Sequence, residues 1–436
     1  VDKMDIVEQP MCTLAKTVPS LTKVSTELTT NFIPFLTNYI HHKQEKEMSM
    51  RLPASITTVK LLKILPEEEL AIRLPPVLLD VCTTLKSKAQ DSRDTARKTL
   101  NELALLLGPV YFGYILKELR NVLARGYQLH VLSFTVHSML VTTTDHFKQG
   151  DLDYCLKELV AVVMDDTFGT VGQEKDAEGY TSKMQEVKSS KSYDSMELLA
   201  KVSTISQLSN LIRPLQALLC EKLNSKLVNK LDELMRRIAI GLLRNPDAES
   251  RDMLVFCYEV IKEAYRDNAP DAGPAAPKTR YEERFLVRLQ GAKRGEHRGA
   301  TSSHVYKLTR FSLDVLRAIL NKFNSLLTAS NLSGFIPIIG DALVQSHEEV
   351  KVSALRLLST IIKLPLPEID ENSHVYFTEA VKLVKESPST NSEAAQASLK
   401  LISSMLRERK DTKLRDGHLA YLLKRLASDI EEPDRQ

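Results

Sequence analysis

The stretch SGFIPIIGDALVQSHEEVKVSALRLLSTIIKLP, which begins at Ser333, reads as two helices joined by a polar turn. Phe335, Ile338, Ile339, Ala342 and Leu343 recur at three and four residues and mark one helix face. A turn follows over Gln345 to His347, and a second helix carries Val350, Ala354, Leu357, Leu358 and Ile361 until Pro365 stops it. The pattern returns from Arg73 and from Leu234, and more loosely from Val375. A unit of about 40 residues built from two helices cannot bury its apolar face alone, so neighbours must stack. That requirement excludes a sheet-based fold and predicts about ten antiparallel helix pairs.

The polar turn leading into V-[KR]-x-x-A resembles a HEAT repeat. The expected class is therefore all-α, a HEAT-type α-solenoid with antiparallel helix pairs stacked in a superhelix. Composition agrees: only 15 of 436 residues are Gly and none is Trp, as expected of helices joined by short turns. A base recurs at Arg93, Arg251 and Lys351, just after the turn. Its expected role is structural, reaching a carbonyl or acid of the neighbouring repeat.

Two stretches break the period. Phe168 to Asp194 is polar, without an apolar stripe, and reads as a loop insertion near 168–194 inside a repeat array spanning 1–266. Residues 267–303 open as a Pro/Gly/Ala linker and end as a basic loop, after which the array continues over 304–436. The densest basic window holds Lys278, Arg280, Arg284, Arg288, Lys293, Arg294 and Arg298 against three Glu. Tyr281 and Phe285 sit among these bases, a composition suited to phosphate contact and base stacking. These seven residues are the candidate contacts for RNA or a partner.

The segment ARGYQLHVLSFTVHSML, Ala124 to Leu140, offers the densest set of potentially reactive side chains. Gly126 is expected to end one helix in a left-handed conformation, and a buried helix follows. His130 and His137 share a face but stand seven residues apart, roughly 10 Å along the axis, too far for one zinc ion. No acid accompanies them, so packed, locally bonded histidines are expected. The five cysteines are scattered without a CxxC pair and read as buried thiols. Phosphate-binding, dinucleotide and nucleophile-elbow motifs are absent, and GTVG at Gly169 lacks the strand context of an RNA-binding KH loop. The chain reads as no enzyme, with no cofactor and no metal site. No apolar run is long enough to span a bilayer, and the start VDKMDIVEQP reads as a cut from something longer.

Residues Asp91 to Val202 carry a more specific likeness. R-G-Y-Q-x-H-V-L at Arg125 to Leu132, MDDTFG at Met164 to Gly169 and KSYDSMELLAKV at Lys191 to Val202 resemble the DRIM ("down-regulated in metastasis") family. These are very large HEAT-repeat proteins of the U3 snoRNA-associated set in the small-subunit processome. The resemblance implies an internal segment of a nucleolar, non-enzymatic scaffold. Its partners would be pre-rRNA, components of the U3 snoRNA particle and other processome proteins, with no small-molecule substrate and no membrane. Both ends would then be open stacking faces. Periodicity alone leaves an alternative of another class, a HEAT-repeat nuclear transport receptor or trafficking adaptor that binds protein cargo.

Overall fold

The computed structural model describes residues 19–42, 50–176, 184–188, 191–221, 223–267, 304–409, 412 and 414–431, and no strand occurs among them. The fold is all-α, with helices packed on helices in layers, as the repeat pattern predicts. The chain divides into two compact units between His146 and Phe147.

The first unit holds α1 (Leu21–Glu27), α2 (Ile33–His41), α3 (Ala54–Leu62), α4 (Glu67–Thr84), α5 (Gln90–Leu107), α6 (Phe112–Val122) and α7 (Gln128–Thr143). Helices α3, α5 and α7 lie side by side, and α4 and α6 form a second layer. Leu100, Leu103, Ile115, Leu119, Val131 and Leu140 are fully buried between them, each contributing roughly 1.5–3 kcal/mol of burial. Gly108 ends α5 with φ +84°, as its position predicts, and Pro109 opens a short 3₁₀ turn, Pro109–Tyr111. Gly126 is left-handed as expected, with φ +53°. It does not stop α6, however, which already ends at Val122 with Leu123 as its cap. Gly126 instead shapes the turn that enters α7, where its carbonyl accepts from the Leu129 amide at 3.1 Å.

The second unit begins with α8 (Leu156–Phe168), α9 (Thr170–Asp176), α10 (Gln185–Lys188), α11 (Lys191–Val202), α12 (Ser209–Leu219), α13 (Ser225–Leu243) and α14 (Arg251–Asp267). It continues with α15 (Tyr306–Lys322), α16 (Ala329–Leu332), α17 (Ile336–Val344), α18 (Glu348–Ile361), α19 (Pro367–Glu371), α20 (Ser373–Glu386), α21 (Glu393–Glu408) and α22 (Asp416–Glu431). Helices α11, α13, α15, α18 and α21 form a ladder in which each packs on the next, while α8, α14, α17 and α20 lie against α11, α15, α18 and α21.

The ladder helices run parallel, and side chains stitch their C-terminal edge. Asn245, just beyond α13, donates to the Ala200 and Ser203 carbonyls at 2.9 and 2.8 Å. Lys322, the last residue of α15, donates to the Leu243 carbonyl that ends α13. Arg409, just beyond α21, donates to the Ile362 carbonyl at the end of α18, 3.0 Å away. Carbonyls in the last turn of a helix have no partner within it, so cations and amides from the neighbouring helix satisfy them and complement the helix dipole. At the start of the ladder the backbones themselves approach. A Cβ on Gly241 of α13 would collide with the Glu197 carbonyl of α11 and lie 2.7 Å from the Ala200 Cβ.

Two expectations are corrected here. The stretch 168–194 is not a loop in its described parts, because α9, α10 and the start of α11 are helical, and Val171, Glu186, Val187 and Ser192 are buried. Its apolar residues are too few to show a stripe, and buried polar bonds, given below, supply the anchoring. The recurring base is also not one position. Arg93 on α5 and Lys351 on α18 lie on side-by-side helices of their units, whereas the copy beginning at Leu234 is out of phase. There the first helix, α13, belongs to the ladder, and Arg251 lies exposed on the outer α14. Arg93 is buried and donates to the Ser87 and Lys88 carbonyls of its own turn, 3.0 Å each.

Candidate nucleic-acid interface

The reactive-looking residues of α7 are packing residues. His130 is fully buried, Arg97 of α5 sits over the Phe134 ring at 4.5 Å, and Asn101 of α5 donates to the Ser138 hydroxyl at 2.8 Å. The Tyr127 hydroxyl donates to the Lys86 carbonyl in the turn between α4 and α5. The Gly126 turn thus places a tyrosine that ties one repeat to the turn of the one before it. Burial pushes the thiols of Cys82, Cys155 and Cys257 up to about 12, so none is a ready nucleophile, while Cys220 is exposed, contrary to expectation. Cys12 lies outside the described residues. Among the described residues no group of three or more His, Cys, Asp or Glu could hold a metal ion, and no helix is long and apolar enough to cross a membrane.

Two of the phrases that carry the sequence likeness meet in space. Asp166, in MDDTFG, is buried and accepts from the Ser192 hydroxyl of KSYDSM at 2.6 Å. Lys175 of α9 donates to both Asp166 oxygens at 3.0 and 3.1 Å, which folds the intervening stretch back onto α8. A buried carboxylate needs such partners to remain charged. These residues staple the fold and leave no open group for chemistry.

Charge reaches solvent instead along the face of the ladder lined by α13, α15, α18 and α21. On α15, Lys307, Arg310, Asp314, Arg317 and Asn321 recur at three and four residues and form one stripe, which Asn324 extends just beyond the helix. Two grooves lie along it. The first, about 330 Å³ between α13 and α15, pairs its charges internally. Lys307 is buried and bonds Asp232 at 2.8 Å and Glu349 at 3.5 Å, Arg310 pairs with Glu349, and Arg236 with Glu233 at 2.7 Å. The Arg236 and Arg237 guanidiniums hold the Glu233 carboxyl below its ordinary range, although partial burial opposes them.

The second groove, about 540 Å³, is lined by α15, α18 and α21 and contains Arg317, Arg356, Lys363 and Lys400 with no carboxylate. Asn321, Asn324, Ser359, Thr360 and Gln396 complete a surface rich in hydrogen-bond donors. At its rim the exposed Glu393 pairs with the half-buried Arg356 at 2.7 Å, an ion pair open to solvent and therefore weak. Asp314 lies one turn before Arg317 on α15, and its carboxyl is pushed up by burial against the pull of a Ser353 hydrogen bond and of Arg317, Arg310 and Arg356.

The seven candidate contacts, Lys278, Arg280, Arg284, Arg288, Lys293, Arg294 and Arg298, all lie outside the described residues. The four groove bases were not among them. They are spread over three helical pairs, Arg356 and Lys363 sharing one, and each is unremarkable in its own window. The available signal was a polar, acid-free stripe at helical spacing opposite the apolar stripe, as in Arg356, Ser359, Thr360, Lys363 and in Gln396, Lys400.

Helices stacked on helices, with an open charged face, define the class, an all-α helical-repeat protein. The profile of the U3 small nucleolar RNA-associated protein 20 domain matches residues 41–261, more than half of the chain, and the chain belongs to that family. It is 39% identical over 432 residues to U3 small nucleolar RNA-associated protein 20 of Schizosaccharomyces pombe, which covers 98% of this chain. It is 35% identical over 430 residues to the Saccharomyces cerevisiae protein of the same name, covering 97% of this chain. In each case the match spans only 17% of the relative's length, so the chain corresponds to an internal segment of those proteins. A crystal structure of an engineered protein overlaps 87% of this chain with a TM-score of 0.21 and 11% identity.

Proposed function

We propose that this chain is a non-enzymatic scaffold segment of the nucleolar small-subunit pre-ribosome, binding pre-rRNA and assembly factors alongside the U3 snoRNA particle. The observation that carries the reading is identity over nearly the whole chain to relatives named as U3 small nucleolar RNA-associated. The absence of a catalytic or metal constellation among the described residues leaves binding as the chemistry available. Bases on an open helical face attract phosphates and position RNA without reading its sequence. The basic window Lys278 to Arg298 is proposed as a second contact, on its surplus of positive charge. The test is cross-linking of the protein to RNA in cells, followed by sequencing of the attached RNA. Enrichment of pre-rRNA and U3 snoRNA is expected. Protein cargo without RNA would replace the reading with that of a transport receptor or adaptor.

A further inference from the structure

We propose that the acid-free groove on α15, α18 and α21 holds the phosphodiester backbone of RNA, with Arg317, Arg356, Lys363 and Lys400 as phosphate contacts. The inference rests on the RNA-binding reading above and deepens it by naming the site and the part of the RNA that enters. Three features of the groove carry it.

The first is the sign and disposition of charge. Four cations converge on one groove, whereas the neighbouring groove on the same stripe of α15 neutralises its own bases with Asp232, Glu233 and Glu349. Lys363 and Lys400 are exposed, and neither forms an ion pair with a described residue. The second is extent. Packed helix axes stand ~8–10 Å apart, so three ladder helices give a track of ~16–20 Å. At ~3.4 Å of rise per nucleotide in a strand, that length accommodates several consecutive phosphates. The third is the lining itself, which offers amide and hydroxyl donors but no aromatic ring on which a base could stack. A site of this kind grips the backbone and is indifferent to sequence.

The Glu393–Arg356 pair gives the proposal a second handle. Glu393 occupies a phosphate contact with a carboxylate, through a pair exposed enough to open at little cost. RNA entering the groove takes its place, so removing this carboxylate strengthens binding.

The experiment titrates this 436-residue chain with oligouridine, with a mixed-sequence RNA and with polyglutamate across a range of salt concentrations. Three proteins are compared: the unaltered chain, Lys363→Glu/Lys400→Glu, and Glu393→Gln. All substituted side chains are exposed, so folding is retained, and circular dichroism checks this. The two RNAs should bind equally well. The double variant should bind both roughly tenfold more weakly, with a salt slope smaller by about 1.4, the value for two lost single-strand phosphates. Glu393→Gln should bind more tightly, with a steeper slope. If the unaltered chain binds RNA and both variants match it, the groove is not the site, while RNA binding elsewhere stands. If the groove variants change only polyglutamate binding, its occupant is an acidic protein and the proposal falls. If the unaltered chain binds neither RNA, the proposal and the RNA-binding part of the functional reading fall together.

Discussion

The two grooves on the exposed stripe of α15 are built from the same residue types and do opposite things. Between α13 and α15 every base has a carboxylate within reach, and Lys307 is buried between two of them. Between α15, α18 and α21 no carboxylate lines the groove, Arg356 pairs only at the rim with Glu393, and Lys363 and Lys400 stand exposed without a carboxylate partner among the described residues. Charge that is paired and buried becomes part of the architecture, because removing one partner strands the other in a medium that solvates it poorly. Charge that is open costs the fold little and remains available to a ligand. Counting bases along the sequence cannot separate these roles, since the decisive quantity is where the nearest carboxylate sits.

The sharpest test of the structural end of the ladder is Gly241→Ala. Its methyl group would press on the Glu197 carbonyl and the Ala200 side chain, so a loss of about 3 kcal/mol in urea unfolding is expected, with α13 pushed away from α11. Lys307→Ala should cost about 2 kcal/mol by the same measurement. That is less than a fully buried pair would lose, because Asp232 and Glu349 keep some contact with water. An unchanged unfolding midpoint for Lys307→Ala would erase the distinction between the two grooves.

Gly126→Val separates a turn glycine from a packing glycine. No atom lies within 4 Å of the position its Cβ would take, so only the left-handed backbone is strained, at about 1 kcal/mol. Lys363→Ala and Lys400→Ala should each stay within about 0.5 kcal/mol of the unaltered chain, as surface substitutions do. A larger loss would assign the basic groove to the structural class as well.

The smallest effect is expected from pH. His347 stacks on Tyr306 at 3.7 Å beside the paired groove, and burial lowers its pKa from 6.5, although Glu349 pulls the other way. The folded chain then binds fewer protons than the unfolded chain, so this group's contribution falls as pH drops through 6.5 and levels off below the depressed value. The unfolding midpoint should therefore fall slightly less between pH 7.5 and 5.5 in His347→Gln than in the unaltered chain.

The helical architecture was legible because it rests on local spacing. Phe335, Ile338 and Ile339, or Val350, Ala354 and Leu357, declare their helix faces within a few residues, and Gly108 and Gly126 announce turns through the one conformation that favours glycine. The phase of the repeats was less legible. Arg251 matches Arg93 in its local pattern, and only the packing shows that α14 lies outside the ladder. The stretch 168–194 misled for a similar reason, since a segment anchored by Asp166, Lys175 and Ser192 has a polar composition even where it is packed. The basic groove was illegible because its members, from Arg317 to Lys400, are brought together only by the stacking of three successive ladder helices.

Ties to backbone carbonyls gather along one edge of that ladder, although Arg244–Glu197 and Arg409–Asp370 add ion pairs there, at 2.7 and 2.8 Å. Along the C-terminal edge, Asn245, Lys322 and Arg409 hold backbone carbonyls. Toward the other edge the ties are carboxylate pairs, Lys307–Asp232, Arg310–Glu349 and Arg356–Glu393. Dissolved ions screen the partly exposed ionic ties far more than they weaken hydrogen bonds to carbonyls. Salt is therefore expected to weaken the more exposed pairs, Arg310–Glu349 and Arg356–Glu393, before the buried Lys307 pair or the carbonyl bonds.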